Sequence, residues 1–198
     1  MQEEIIISKK PVSERLIPAF PCTPIPREEY YKAPLVCSLG QWLSSGFFAD
    51  EVEAFRSEPN LLEKLHLYRC LPVANLACYG WLMAEDDMFH IISYTGLLDF
   101  DIKKDYNERW DFVRLKEQLR RLPFMVYVGD DTDEADIFCV VSIRWPNMYA
   151  KHFKALRRFF LKHGLIISGS DSPSHFRKVS HDPGAIIKEE VQDFLLLE

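Results

Sequence analysis

Asp99 and Asp101 stand one phenylalanine apart at the end of the run "ISYTGLLDFD", residues 92–101. In a strand, residues two apart point the same way with Cα atoms about 6.5 to 7 Å apart, so both carboxylates face one spot. Like charges so placed repel unless a cation sits between them. One use of such a pair is to hold a divalent ion on hard oxygen ligands and offer it to a phosphate. The plainer use is a solvated strand end.

Two other stretches concentrate charge. The helix "KHFKALRRFFLKH", residues 151–163, puts Lys151, Lys154, Arg157, Arg158 and Lys162 on one side, with His152 and His163 beside them. It is the only dense basic patch, and phosphate backbones bind to such a surface. A solvated helix face is the competing account. The turn "GDDTDEADIF", residues 129–138, carries five carboxylates and no cation. It reads as a solvated hairpin loop, since a calcium loop would carry a glycine and spaced ligands that are missing here.

The bulk composition limits what surrounds these groups. A chain of 198 residues, 47% hydrophobic and 27% charged, supports one domain with a sizeable core. Its net charge of -6 provides no global field toward nucleic acid or an anionic membrane, so any polyanion contact is local. The start, "MQEEIIISKK", is acidic where a secretory leader is basic, and its apolar run is too short for a membrane span, which points to the cytoplasm. Five cysteines without a CxxC pair fit free thiols in a reducing compartment. A zinc site from His66, Cys70, Cys78 and His90 matches no zinc spacing, and buried cysteines are the simpler reading.

Six of the 12 prolines precede residue 35, so residues 1–34 read as an extended arm. From Ser38, a candidate N-cap, the pattern is helical, with a break near Ser45 and Gly46, a second helix from Asp50 to Pro59 and a third before Pro72. Strands are expected on both sides of Gly96, then a helix through "NERWDFVRLKEQLRRLP", two strands joined by the acidic turn, and the basic helix closed by Gly164. "LIISGS" reads as a short strand, "SHFRKVSHDPGAII" as a strand and turn, and residues 186–198 as a closing helix or tail. The expected fold is α+β, a mixed sheet flanked by helices, with residues 35–185 as the domain.

Taken together, "VCSLGQWLSSGFFADEVEAFRSEP", "KLHLYRCLPVANLACYG", "FHIISYTGLLDFDIKK", "LRRLPFMVYVG" and "VSHDP" resemble the amino-terminal domain of the virulence-associated E type proteins of bacterial mobile elements. That domain is similar to archaeo-eukaryotic primases and commonly precedes a helicase-like region. The resemblance implies a primase-like fold, Mg or Mn on Asp99 and Asp101, DNA or RNA as partner, and a helicase-like replication protein nearby. It also implies a serine- and glycine-rich turn followed by a lysine, to hold nucleotide phosphates.

The chain departs from that pattern. Gly129 remains, but Asp130, Asp131, Asp133, Glu134 and Asp136 follow, and Phe138 stands about where the lysine belongs. Each carboxylate would oppose a triphosphate by on the order of 1 kcal/mol. In the third element, Ser180, Asp182 and Pro183 are kept, His175 stands about where an arginine would, Arg177 is a second candidate for it, and Asp171 is a shifted acid. The expectation is a degenerate, non-catalytic primase-like module that binds nucleic acid or a replication partner. The alternatives are a metal-dependent phosphotransfer enzyme, either a divergent primase or a nuclease, using Asp99 and Asp101, and a protein-interaction module with no nucleic-acid role.

Overall fold

The computed structural model describes residues 11–20, 35–44, 48–78, 81–83, 89–91 and 94–196. In chain order its strands and α-helices are β1 (Leu16–Phe20), β2 (Leu35–Ser38), α1 (Leu39–Ser44), α2 (Ala49–Ser57), α3 (Leu61–Cys70), β3 (Val73–Ala74), β4 (Trp81–Met83), β5 (Phe89–Ile91) and β6 (Leu97–Ile102). Then follow α4 (Phe112–Arg120), β7 (Met125–Asp130), β8 (Ile137–Ser142), α5 (Tyr149–Lys162), β9 (Arg177–Lys178) and β10 (Ile186–Ile187). The fold is α+β. Every named strand pair is antiparallel, and the parallel contact is the isolated bridge between Ile143 and Phe194.

Helix starts follow local side-chain chemistry. Ser38 and Gln41 form a capping box before α1: the Gln41 N–H donates to Ser38 Oγ at 3.2 Å, and the Ser38 N–H to Gln41 Oε1 at 2.9 Å. Asn60 accepts from the N–H groups of Leu62 and Glu63, and Asp111 from those of Val113 and Arg114, satisfying donors that a first turn leaves open. Gly164 ends α5 at φ +73°, where a Cβ would be strained.

The central sheet has the order β10-β7-β8-β6, and residues 165–168 continue it through a bridge from Ser168 to Asp101 on β6. The path β6, α4, β7, β8, α5 is a β-α-β-β-α unit, after which residues 165–168 return beside β6 at the single Ser168 bridge. One face packs on the helices: Leu98, Phe100 and Ile102 of β6 meet Leu115 and Leu119 of α4 and Phe153, Leu156 and Phe160 of α5. The other face sets Leu97, Val126, Tyr127, Phe138 and Val140 against Ile17, Ala74, Trp42, Val52 and Phe55. Those partners come from β1, β3, α1 and α2, so a second sheet, β2-β1-β3-β9, and two helices cover it. Because both faces are covered, β7 and β8 read as continuous apolar runs rather than alternating ones. Each fully buried side chain contributes about 1.5–3 kcal/mol.

Three expectations need correcting. Part of the proline-rich arm belongs to the packed domain: Leu16–Phe20 is β1, paired with β2 and β3, and Val12, Ile17 and Ala19 are buried. Pro18 has no N–H to give, but its carbonyl accepts from the Asn75 N–H at 3.1 Å. Residues 1–10 and 21–34 lie outside the described residues. The closing helix does not form through residue 196. Instead Ile186–Ile187 pairs with β7, and Phe194 docks on the helix-side core. "LIISGS" contributes a single bridge rather than a strand.

Candidate functional site

Strand alternation turns Asp99 and Asp101 away from α4 and α5, onto the face where their neighbours on β8 are Val140 and Phe138. Asp99 is 1% exposed. The segment that runs over them is residues 175–178, held there because β9 pairs with β3 at Val73 and Ala74. It supplies the cation that the paired acids require. The Arg177 guanidinium forms a two-pronged pair with Asp101, with Nη1 donating to Oδ2 at 3.0 Å and Nη2 to Oδ1. Nη2 also donates to Asp131 Oδ1 at 2.9 Å, and Nη1 lies 3.6 Å from Asp99 Oδ2. The guanidinium stacks over the Phe138 ring at 4.0 Å. His175 completes the group: Nε2 lies 3.1 Å from Asp99 Oδ2 and 3.0 Å from Oδ1, while Nδ1 lies 2.8 Å from the Ser172 carbonyl.

Three carboxylates therefore share Arg177, and one of them, Asp99, also meets His175. Burial alone would raise the Asp99 pKa, but His175 and then Arg177 outweigh it and hold the carboxyl below the ordinary range. Burial also opposes the charged His175, yet Asp99 and the Ser172 carbonyl raise its pKa. Asp101 is pushed up by burial, and by Asp131 and Asp99, against the pull of Arg177. Arg177 is held protonated: burial disfavours its charge, and Asp101 and Asp131 more than reverse that. The Tyr149 hydroxyl is raised by burial first and then by Asp99, and its ring centre lies 6.2 Å from that of His175.

Sequence reasoning placed Asp99, Asp101, His175 and Arg177 among the candidates, and the fold brings all four together. As arranged, they do not fit an added Mg or Mn ion. Both Asp101 oxygens are engaged by the guanidinium, and Asp99 faces His175 and Arg177, so the oxygens that would ligate a metal already face a cation. Asp131, Asp133 and Asp136 bring ligand oxygens within 4.8 Å of one another. Asp131 is on Arg177, however, Asp136 accepts from Lys103 Nζ and the Lys104 N–H, both at 2.9 Å, and Asp133 accepts from the Ala135 N–H.

The acidic turn is solvated only at its tip, Asp133, Glu134 and Ala135, while Thr132 and Asp136 are buried. Cations reach it from four distant elements. Arg56 of α2 donates to the carbonyls of Thr132, Asp131 and His181, and pairs with Glu134 at 2.8 Å. Lys116 of α4 pairs with Asp130 at 2.7 Å, while Lys103 and Arg177 hold Asp136 and Asp131. The Ser180, Asp182, Pro183 turn serves the same assembly, since Asp182 accepts from the N–H groups of Asp130 and Gly184. Arg56 is the functional-looking group that the sequence reading missed. Its partners lie 75 to 125 residues away, and only a demand for charge balance in the turn pointed to it.

The basic residues stay apart from this cluster. Lys151, Lys154, Arg157, Arg158 and Lys162 are all exposed on α5, and among the described residues none forms an ion pair. Lys154, Arg157, Arg158 and Leu161 form one wall of a groove of about 330 Å³, and Leu165, Ile166 and Ile167 form the other. His152 is turned inward, with Nε2 accepting from the Trp145 N–H at 3.3 Å. Among the described residues, His66, Cys70 and Cys78 do not converge on a zinc centre. The buried Cys78 thiol donates to the Pro173 carbonyl at 3.0 Å, Cys70 lies exposed 3.8 Å from His66 Nε2, and the His90 side chain falls outside the described residues. Among the described residues no helix is long and apolar enough to cross a membrane. No family model, no curated protein and no solved structure matches the chain.

Proposed function

We propose that the chain is a primase-like module of a bacterial mobile element that has given up nucleotidyl transfer and binds a nucleic-acid backbone in the cytoplasm, beside a helicase-like replication partner. The observation that carries this reading is the exposed face of α5, where Lys151, Lys154, Arg157, Arg158 and Lys162 find no anion among the described residues of a chain whose net charge is -6. Charge left unpaired on one face, while the acidic turn is met by Arg56, Lys103, Lys116 and Arg177, suits a phosphate partner.

Two further observations support it. The paired acids lie on the first strand of a β-α-β-β-α unit, an arrangement compatible with the resemblance although many functions share such folds. Arg177 engages those acids, so phosphotransfer through Asp99 and Asp101 would require the guanidinium to withdraw. A protein partner is favoured on a different surface. Helix α3 buries none of its residues and presents Leu61 and Leu62 at 80% and 77% exposure.

The test is fluorescence anisotropy with single- and double-stranded DNA and RNA between about 50 and 200 mM salt, where phosphate contacts weaken steeply. The native protein binds, and Lys154→Glu with Arg158→Glu weakens binding at least about tenfold while lowering the salt slope. Absence of binding, or an unchanged slope, removes the reading. Primer synthesis or nuclease activity lost in Asp99→Asn would restore the enzyme reading.

A further inference from the structure

We infer that Arg177 is the resident cation of a rigid three-carboxylate cage, and that it clamps the two sheets together in the place where a divalent metal would otherwise sit. Asp99, Asp101 and Asp131 come from β6 and from the end of the β7–β8 hairpin, and all three carboxylates converge on one guanidinium within ion-pair distance. Three oxygen-donor groups converging on a single point make a coordination set for a hard cation.

The cage is rigid because Asp101 is held on both sides. It is paired with Phe138 of β8, and its backbone exchanges two 2.8 Å hydrogen bonds with Ser168. The cation arrives from the other sheet. Strand β9 is two residues long and pairs only at Val73 and Ala74, so Arg177, with His175 on Asp99 and the Thr132 hydroxyl on the Val179 carbonyl, links this edge to the central sheet and its hairpin. Its planar fork matches the two oxygens of Asp101, its second prong reaches Asp131, and its flat face lies on Phe138. The side chain is 11% exposed, which leaves it little water with which to trade these partners.

Two consequences are measurable and do not depend on nucleic-acid binding. The native protein takes up no Mn²⁺ at the paired acids, and its Tm in EDTA, Mg²⁺ or Mn²⁺ stays within about 1 °C, since a ligand raises Tm only by binding the folded state. Arg177→Ala leaves the carboxylates facing one another, lowers Tm by roughly 10 °C and creates a Mn²⁺ site that restores much of the loss. Mn²⁺ binding is followed by electron paramagnetic resonance and Tm by circular dichroism, for the native protein, Arg177→Ala, Arg177→Lys and Asp99→Asn with Asp101→Asn. Arg177→Lys keeps a cation without the fork, so an intermediate Tm and no Mn²⁺ uptake are expected.

A native protein that binds Mn²⁺ with micromolar affinity, lost in the double Asn variant, overturns the inference. So does a folded Arg177→Ala protein with native Tm and no Mn²⁺ site. Should Arg177→Ala fail to fold with or without Mn²⁺, the native titration and the Arg177→Lys protein decide: Mn²⁺ uptake by either counts against the inference, and its absence from both supports it.

Discussion

The acid cluster under β9 and the basic face of α5 lie on different layers of the molecule and treat charge in opposite ways. Around Arg177, three carboxylates, a guanidinium and an imidazole are drawn into a site where Asp99 is 1% exposed, and their charges are answered internally. Along α5, five cations stand in solvent with no anion among the described residues, while Phe153, Leu156 and Phe160 face the core. Buried charge must be paired within the fold because the interior does not screen it, whereas exposed charge is tolerated alone and remains available to a partner. Charge density in the sequence therefore marks two different things. In the first region it marks architecture, and in the second a candidate interface.

The contrast can be broken most directly at Arg177. Arg177→Ala strands Asp99, Asp101 and Asp131 together and should cost about 3–5 kcal/mol in urea unfolding, as removal of one partner from a buried ion pair does. A loss below about 1 kcal/mol would mean that the cluster is solvated after all. On the other side, Lys154→Glu with Arg158→Glu should leave the unfolding midpoint nearly unchanged, within about 0.5 kcal/mol, while nucleic-acid affinity falls at least about tenfold. An equal loss of stability would show that α5 is part of the framework rather than a free face.

A third measurement tests the contact between His175 and Asp99. The folded-state pKa of His175 is raised, so the stability it contributes is complete below its unfolded value of about 6.5 and is lost as pH rises through the higher folded value. Asp99 is depressed, so its contribution is present above about 3.9 and is lost as pH falls through the lower folded value. Between those limits the contact is at full strength. Tm measured from pH 5 to 9 should fall on the alkaline side, and the fall should vanish in His175→Gln. Should it persist there, its source lies elsewhere. The smallest effect is expected at Asp133, an exposed acid of the turn whose carboxylate accepts only a local N–H: Asp133→Asn should stay within about 0.5 kcal/mol.

Much of the local architecture was legible because it rests on neighbours in sequence. Ser38, the candidate N-cap, accepts from the Gln41 N–H three positions on, and α5 and α4 show their apolar stripes within one or two turns. β6, β7 and β8 were visible as apolar runs, and the two-residue spacing of Asp99 and Asp101 correctly placed both on one face. Where the reading failed, a distant partner overrode a local rule. The prolines read Leu16–Phe20 as part of an unpaired extended arm, yet two neighbouring strands draw it into a sheet. Residues 186–198 have a helical pattern, but β7 offers Ile186 and Ile187 an open edge to pair with.

The sequence by itself determined that two carboxylates share a strand face, that one helix carries a line of cations, and that a hairpin turn is crowded with acid. Each is a matter of spacing along a regular element, whose period sets direction. Only the tertiary structure decided what answers those charges. Arg177 reaches Asp101 across 76 residues, Arg56 reaches Thr132 across 76, and Lys103 reaches Asp136 across 33. Electrostatic pairing acts over a few ångströms of space and is blind to separation along the chain, so the partners became visible only once two sheets had closed on each other.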